Sequence, residues 1–230
     1  MIPHLNRKRL MIVTLDGPAG AGKSTIARKL ADRLGFAFLD TGAMYRAVTL
    51  AAVRNHGPWD DPQALADVVR HCQIELDGSH VRLNGEDVSE LIRMNEVTSQ
   101  IHYLADNPAV RERLVELQRG FAVGKDLVSE GRDQGTIAFP NAECKIFLTA
   151  SPEERAKRRV QELQTRGERI SIDEVLEQQN ERDYRDSTRK FGRLEQAPDA
   201  IDVSTDGMSP DEVVERLVHI VRGKTRRADV

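Results

Sequence analysis

Eight consecutive residues, Gly17, Pro18, Ala19, Gly20, Ala21, Gly22, Lys23 and Ser24, fit the pattern G-x-x-x-x-G-K-[ST], and Thr25 adds a second hydroxyl after them. The chemistry of that pattern is a grip on polyphosphate. Its glycines let backbone N–H groups approach phosphate oxygens with no side chain in the way, and they admit positive φ. A helix that follows such a turn presents its positive end to the same oxygens. Lys23 is then placed to reach the β- and γ-phosphates, and the Ser24 hydroxyl to ligate Mg²⁺. The pattern also arises by chance in βα turns, so its flanks decide. Residues 10–15 (LMIVTL) form an apolar run rich in β-formers, long enough for one buried strand. Ile26, Ala27, Leu30, Ala31 and Leu34 recur at helical spacing behind the loop. Strand, glycine turn and helix together indicate a nucleoside triphosphate, and the fate of its γ-phosphate must be read elsewhere.

Other residues suited to phosphate chemistry are an acid and a set of arginines. Glu130 closes a short apolar run, where a carboxylate near the loop can hold Mg²⁺ or its waters; the alternative is a solvated turn acid. Arg46, Arg111 and Arg132 fall at or near the same suspected cleft. Arg155, Arg158, Arg159, Arg166 and Arg169 lie on or after one helix, and Arg182, Arg185, Arg189 and Arg193 on or after the next. Singly, each reads as a solvated helix-face arginine in i,i+4 pairs. As a set they suit a site that gathers several phosphates, where positioning and charge neutralisation do most of the catalysis. The two helices, joined at residues 165–167, are expected to form a mobile lid that keeps water from the phosphates. Asp133 has the chemistry to accept from a cytosine amine, with an N-cap or a salt bridge to Arg132 as the plainer reading. The six histidines and two cysteines show no metal-type spacing.

These groups need elements to carry them. Residues 36–39, 127–128, 145–148 and 200–203 read as further short strands, each alternating with helical patterns. Asp61-Pro62 and Asn107-Pro108 are helix starts, and Ser151, Ser171 and Ser209 open helices with an acid three residues on. Alternation of strand and helix predicts a doubly covered, mostly parallel sheet: a three-layer α/β/α fold with ligands at the carboxyl ends of the strands. Residues 74–88 differ, alternating apolar and polar at period two around Asp77-Gly78 and Asn84-Gly85 turns. They are expected to form a small antiparallel unit projecting from the main sheet. With 230 residues, 39% hydrophobic and 31% charged, the chain suits one globular domain. Residues 1–9 read as a ragged leader, and the basic tail from Lys224 as frayed. Two cysteines in apolar surroundings fit a reducing cytoplasm. A net charge of −3 and 4% aromatic residues give no reason to expect nucleic-acid binding.

Four segments resemble the bacterial cytidylate kinase family: residues 17–25, residues 39–48 (LDTGAMYRAV), residues 130–136 (EGRD-x-GT) and residues 181–189 (ERD-x-x-DS-x-R). The similarity covers roughly residues 11–222, and the second and fourth segments are far more specific than the first. The resemblance implies a P-loop nucleoside monophosphate kinase with a β-rich monophosphate-binding insert near residues 63–103 and a helical, arginine-rich lid near residues 153–192. The core would then be residues 10–62, 104–152 and 198–222. It implies transfer of the ATP γ-phosphate to CMP or dCMP in pyrimidine nucleotide metabolism, with Mg²⁺, by a cytoplasmic monomer. Carried over, residues 17–25 cradle ATP, and Lys23, Arg158 and Arg159 act at the transferring phosphate. Thr41, Arg46, Arg111, Arg132, Asp133, Arg182, Asp186 and Arg189 face the acceptor nucleotide, and Ser24 with Glu130 serves the metal. Three positions depart from the family: His102 stands where some members use a base-reading serine, Gln134 where an aliphatic residue is usual, and Arg193 where proline is common. Another P-loop kinase with a small non-nucleotide acceptor would leave the β-rich insert and residues 182–189 unexplained. A nucleotide-dependent switch would need an N-K-x-D motif, which the chain lacks.

Overall fold

The computed structural model describes residues 10–228 apart from 79, 166 and 168, with side chains up to residue 224. The leader expected at residues 1–9, and Arg166 in the turn between the arginine-rich helices, lie outside the described residues. Five strands form one parallel sheet. Its central strand β1 (Ile12–Asp16) lies between β6 (Leu127–Glu130) and β7 (Cys144–Thr149). β2 (Ala37–Asp40) flanks β6, and β8 (Ile201–Ser204) flanks β7. The chain leaves β1 for β2 on one side and later returns to β7 on the other, so a crevice opens at the carboxyl end of β1. The register places Leu15 and Asp40 on either side of Glu130, so three strand ends lie abreast.

Neighbouring strand residues serve opposite faces. Val13 and Val128 join one apolar cluster, with α1 (Lys23–Leu34) and α8 (Pro210–Ala228). Leu127 and the partly buried Ile12 join the other, with α2 (Thr41–Arg54), α3 (Pro62–Arg70), α4 (Asn95–Ala105) and α5 (Pro108–Ala122). This is the period-two alternation of a sheet covered on both sides. Side chains cap the helices where the residue types indicated: Asp40 accepts from Ala43 N, Asp61 from Gln63 and Ala64 N, and Asn107 from Ala109 and Val110 N. Helix α8 continues past Lys224 to Ala228, so the expected fraying does not begin there.

The β-rich segment forms its own antiparallel sheet of β3 (Ile74–Asp77), β4 (His80–Leu83) and the two-residue β5 (Glu86–Asp87). Asn84 and Gly85 turn between β4 and β5 with φ of 52° and 84°, the pair of positive values a type I′ hairpin requires. Rather than simply projecting, this sheet buries Val81 and Leu83 in the same cluster as α2 and α3, because one face of a three-stranded sheet must be covered. The arginine-rich helices α6 (Pro152–Thr165) and α7 (Ile172–Thr188) pack on each other through a small cluster of Ala156, Leu163 and Val175. Cys72 and Cys144 are buried and unbridged. No helix among the described residues is long and apolar enough to cross a membrane.

Candidate active site

The glycine loop between β1 and α1 is built as its pattern demands. Gly17 has φ 146°, and a Cβ there would lie 2.0 Å from the Leu148 carbonyl oxygen, so no side chain fits. Gly22, at φ 83°, is the N-cap of α1, and no side chain caps that helix. Its first N–H groups are therefore left for a ligand. Lys23 is 5% exposed and donates to the Pro18 carbonyl at 2.7 Å. Ser24 Oγ donates to Glu130 Oε2 at 2.9 Å. From the other side, buried Arg155 donates both to the Ala19 carbonyl (2.9 Å) and to Asp183 (2.6 Å), tying the loop to α6 and α7. A cleft lined by Gly20, Gly22 and Thr25 continues over Arg158, Met208 and Pro210. Arg158 donates to the hydroxyl and carbonyl of Thr205, each at 3.0 Å, and Arg159 donates to Glu162.

A second cleft of about 980 Å³, partly open to solvent, lies beyond Glu130. Its floor is the bend at residues 130–133; α2, α4 and α7 supply its walls. Asp186 lies between two arginines: Arg132 Nε donates to one oxygen at 2.9 Å and Arg189 Nη2 to the other at 3.0 Å. Arg189 also donates to Asp106. Arg111 and Asp133 form a nearly fully buried ion pair, and Arg111 donates further to the carbonyls of Ala105 (3.0 Å) and Gly192 (3.1 Å). The Arg111 Nε has no hydrogen-bond partner among the described residues. Arg46 donates to Thr98, on the cleft wall. The Thr41 hydroxyl donates to the Glu130 carbonyl at 2.7 Å. Arg182 faces the cleft with no hydrogen bond or ion pair among the described residues.

Positive charge is in excess where the clefts meet. Burial pulls the Lys23 pKa down, with Arg132 adding to it and Glu130 opposing. Burial likewise lowers Arg46; Asp40 opposes, while Arg93, Arg159 and Arg132 reinforce. At Arg182 partial desolvation, then Arg132, bring the value down to about 10, although much of the side chain is accessible. Glu130 is raised by burial, with Lys23 opposing. Asp186 is held low: burial alone would raise it, and Arg132, Arg182 and Arg189 more than offset that. Crowded cations that depress one another are relieved by an anionic ligand.

All the acceptor-side candidates named from the sequence gather at this second cleft, Arg46 through its bond to Thr98. One local expectation changes. Asp133 pairs with Arg111 rather than with its neighbour Arg132, whose guanidinium goes to Asp186. β2 ends at Asp40, which caps α2 directly, so Thr41 and Arg46 both stand on that helix. Gln134 is buried with its own partners, accepting from Ser129 Oγ at 2.7 Å and facing Gln118. Arg193 is exposed and pairs with Glu195. The sequence reading named Arg155 only within the arginine set, where it is indistinguishable among helix arginines, and gave it no role of its own. It missed Asp16, the last residue of β1, which accepts from the Gln134 and Gly135 N–H groups at 2.9 and 2.7 Å. Burial lifts its pKa to about 7, against those two bonds. Its signal was present: a carboxylate ending an apolar strand one residue before the glycine loop.

Among solved structures, a protein from Eubacterium ventriosum described as uncharacterized aligns over 94% of this chain and 99% of its own, with a TM-score of 0.52 and 13% identity, a likeness of fold alone. Relatives by sequence are closer. A cytidylate kinase of Rhodopirellula baltica is 55% identical over 92% of this chain and 93% of its own length. One of Geobacillus kaustophilus is 45% identical over 93% and 97%. A bifunctional pantoate ligase/cytidylate kinase of Trichormus variabilis is 47% identical, matching 92% of this chain with 41% of itself. The family model for cytidylate kinase matches residues 13–223. With that match spanning the glycine loop, both clefts and the helices around them, the chain belongs to the cytidylate kinase family.

Proposed function

We propose that this chain transfers the γ-phosphate of ATP to CMP or dCMP, giving ADP and CDP or dCDP. The observation that carries the reading is the junction of the two clefts. Lys23, on the loop side, sits in the field of Arg132 and Arg182 on the other side, so one cation group serves two phosphate sites. The P–O bond to the ADP leaving group breaks as a bond forms to an oxygen of the acceptor phosphate. That oxygen is already anionic at neutral pH and needs no base. The protein's work is alignment and neutralisation. Residues 17–25 hold the donor phosphates. Arg46, Arg132 and Arg182 draw in the acceptor phosphate, and Asp186 and Arg189 shape the sugar side. Arg111 and Asp133 close the base end. Arg158 and Arg159, on α6, meet the transferring group when the α6–α7 lid covers it.

Ser24 and Glu130 offer two hard oxygen atoms within 2.9 Å of each other beside the loop, a donor set that fits Mg²⁺ shared with phosphate oxygens. The ion, when bound, supplies charge neutralisation at the β- and γ-oxygens. A monomeric, cytoplasmic enzyme with small-molecule partners completes the reading. ADP release measured with CMP, dCMP, UMP and AMP at saturating Mg-ATP tests it. CMP and dCMP are expected to turn over at least about tenfold more efficiently than AMP, a gap of about 1.4 kcal/mol. A preference for AMP over CMP would overturn the assignment.

A further inference from the structure

Arg155, near the start of α6, is 4% exposed, and its Nη1 alone makes two bonds. One goes to the Ala19 carbonyl of the donor loop at 2.9 Å, the other to Asp183 Oδ2 on α7 at 2.6 Å. The loop is tightly packed at this point: a Cβ on Gly20 would lie 3.0 Å from Gln179 Nε2 and 3.2 Å from Arg155 Cβ. Three buried atoms around the pair, Arg155 Nε, Gln179 Oε1 and Asp183 Oδ1, have no hydrogen-bond partner among the described residues. Asp183 therefore commits one oxygen to Arg155 and keeps the other unpaired. A buried carboxylate oxygen in that condition takes whatever donor comes within reach. The charged donors at hand are Arg182 and Arg132, on which the Asp183 charge already acts. These two guanidiniums also carry the positive excess assigned above to the acceptor phosphate.

Resting on the two-substrate reading above, we infer that Arg155 is a positioning residue for both substrates: its bond to Ala19 fixes the donor loop, and its bond to Asp183 holds that carboxylate away from Arg182 and Arg132, leaving their charge for the acceptor phosphate. Without Arg155, Asp183 turns toward those arginines and competes with the incoming phosphate. Arg182 is the more open to capture, since it has no hydrogen bond or ion pair among the described residues. Arg155 lines the donor cleft and Arg182 the acceptor cleft, so one side chain acts on the second site without reaching into it.

The test measures KM for CMP at saturating Mg-ATP, and KM for ATP at saturating CMP, in the wild-type chain, Arg155→Ala, Asp183→Asn and the double variant. Arg155→Ala is expected to raise both values about tenfold, the size of one charge-assisted hydrogen bond. Asp183→Asn is expected to leave KM for CMP at or below the wild-type value, because it removes the competing charge. The double variant should return KM for CMP to within about threefold of wild type while KM for ATP stays raised. A loss of packing alone would not be rescued by a second substitution. Arg155→Lys keeps the charge beside Asp183 without the planar fork, so it is expected to hold KM for CMP and raise KM for ATP. That comparison serves even where Arg155→Ala does not fold. The role of Arg155 is overturned by an unchanged KM for CMP in Arg155→Ala, by a double variant as poor toward CMP as Arg155→Ala, or by an Arg155→Lys that loses CMP and ATP alike. A wild-type enzyme that prefers AMP overturns the CMP reading instead. The same proteins compared on AMP then decide the role of Arg155, because the monophosphate is common to both acceptors.

Discussion

Arg182 and Arg189 lie on the same side of α7, about one turn to either side of Asp186, yet they are held in opposite ways. Arg189 is tied to Asp106 and Asp186, while Arg182 has no hydrogen bond or ion pair among the described residues and is depressed by desolvation and then by Arg132. A residue kept in that condition is stabilising only when an anion arrives. Arg182→Ala should therefore raise KM for CMP about tenfold or more while moving the melting temperature by less than about 3 °C, within about 1 kcal/mol. Arg189→Ala should raise KM for CMP and also lower the melting temperature, because it leaves Asp186 and Asp106 short of a partner. Equal thermal losses in the two variants would contradict the distinction. The residue types at these positions were legible in the sequence. Their pairing was not, since Asp133 finds Arg111, 22 positions away, in preference to its neighbour. Only the packing of α5 against the bend at residues 130–133 decides that.

Between elements, Asp16 joins the donor loop to the acceptor floor. It terminates β1 immediately before Gly17 and holds the first N–H groups of the π-helical turn Gln134–Ala138, which follows Asp133. Its pKa is raised from 3.8 to about 7, so the folded state binds the proton more tightly than the unfolded one. The stability linked to that proton is fully present below pH 4 and is lost as the pH rises through about 7, a change on the order of 4 kcal/mol. Asp16→Asn should flatten this contribution. Melting curves of both proteins from pH 4 to 8 check it: an identical pH slope would show that Asp16 does not titrate in that window. Elements were the best-read level of the sequence. Asp61, Asn107, Ser171 and Ser209 cap the helices expected of them, since a cap is a local interaction. The β3–β5 sheet was recognised by its alternation, but its burial against α2 depends on a partner distant in sequence.

At the level of the whole molecule, the two clefts are lined by largely different residues. A site that exists before its co-substrate arrives binds alone. CMP without ATP should thus raise the melting temperature, by about 5–10 °C at a hundredfold excess over its Kd. No shift with CMP alone, and a shift with CMP plus a non-hydrolysable ATP analogue, would show that the acceptor site forms only after the donor binds. The α/β architecture and the gathering of polar segments at strand ends were legible, because strand–helix alternation and right-handed crossovers leave few topologies. Which strands adjoin was not, because no local pattern records that β6 inserts between β1 and β2.

That insertion makes the sheet a ruler. The donor loop hangs from β1 and the acceptor floor from β6, directly hydrogen-bonded neighbours about 4.8 Å apart. Glu130 is aligned with Leu15 by the same ladder that holds the strands together. The interval between the two clefts is thus set by backbone pairing, with the Asp16 carboxylate fastening loop to floor, and point substitutions among the residues that line either cleft alter affinity without altering that interval. A slip of one residue between β1 and β6 would do the reverse, turning Glu130 away from Ser24 and throwing Leu127, Val128 and Ser129 to the opposite faces.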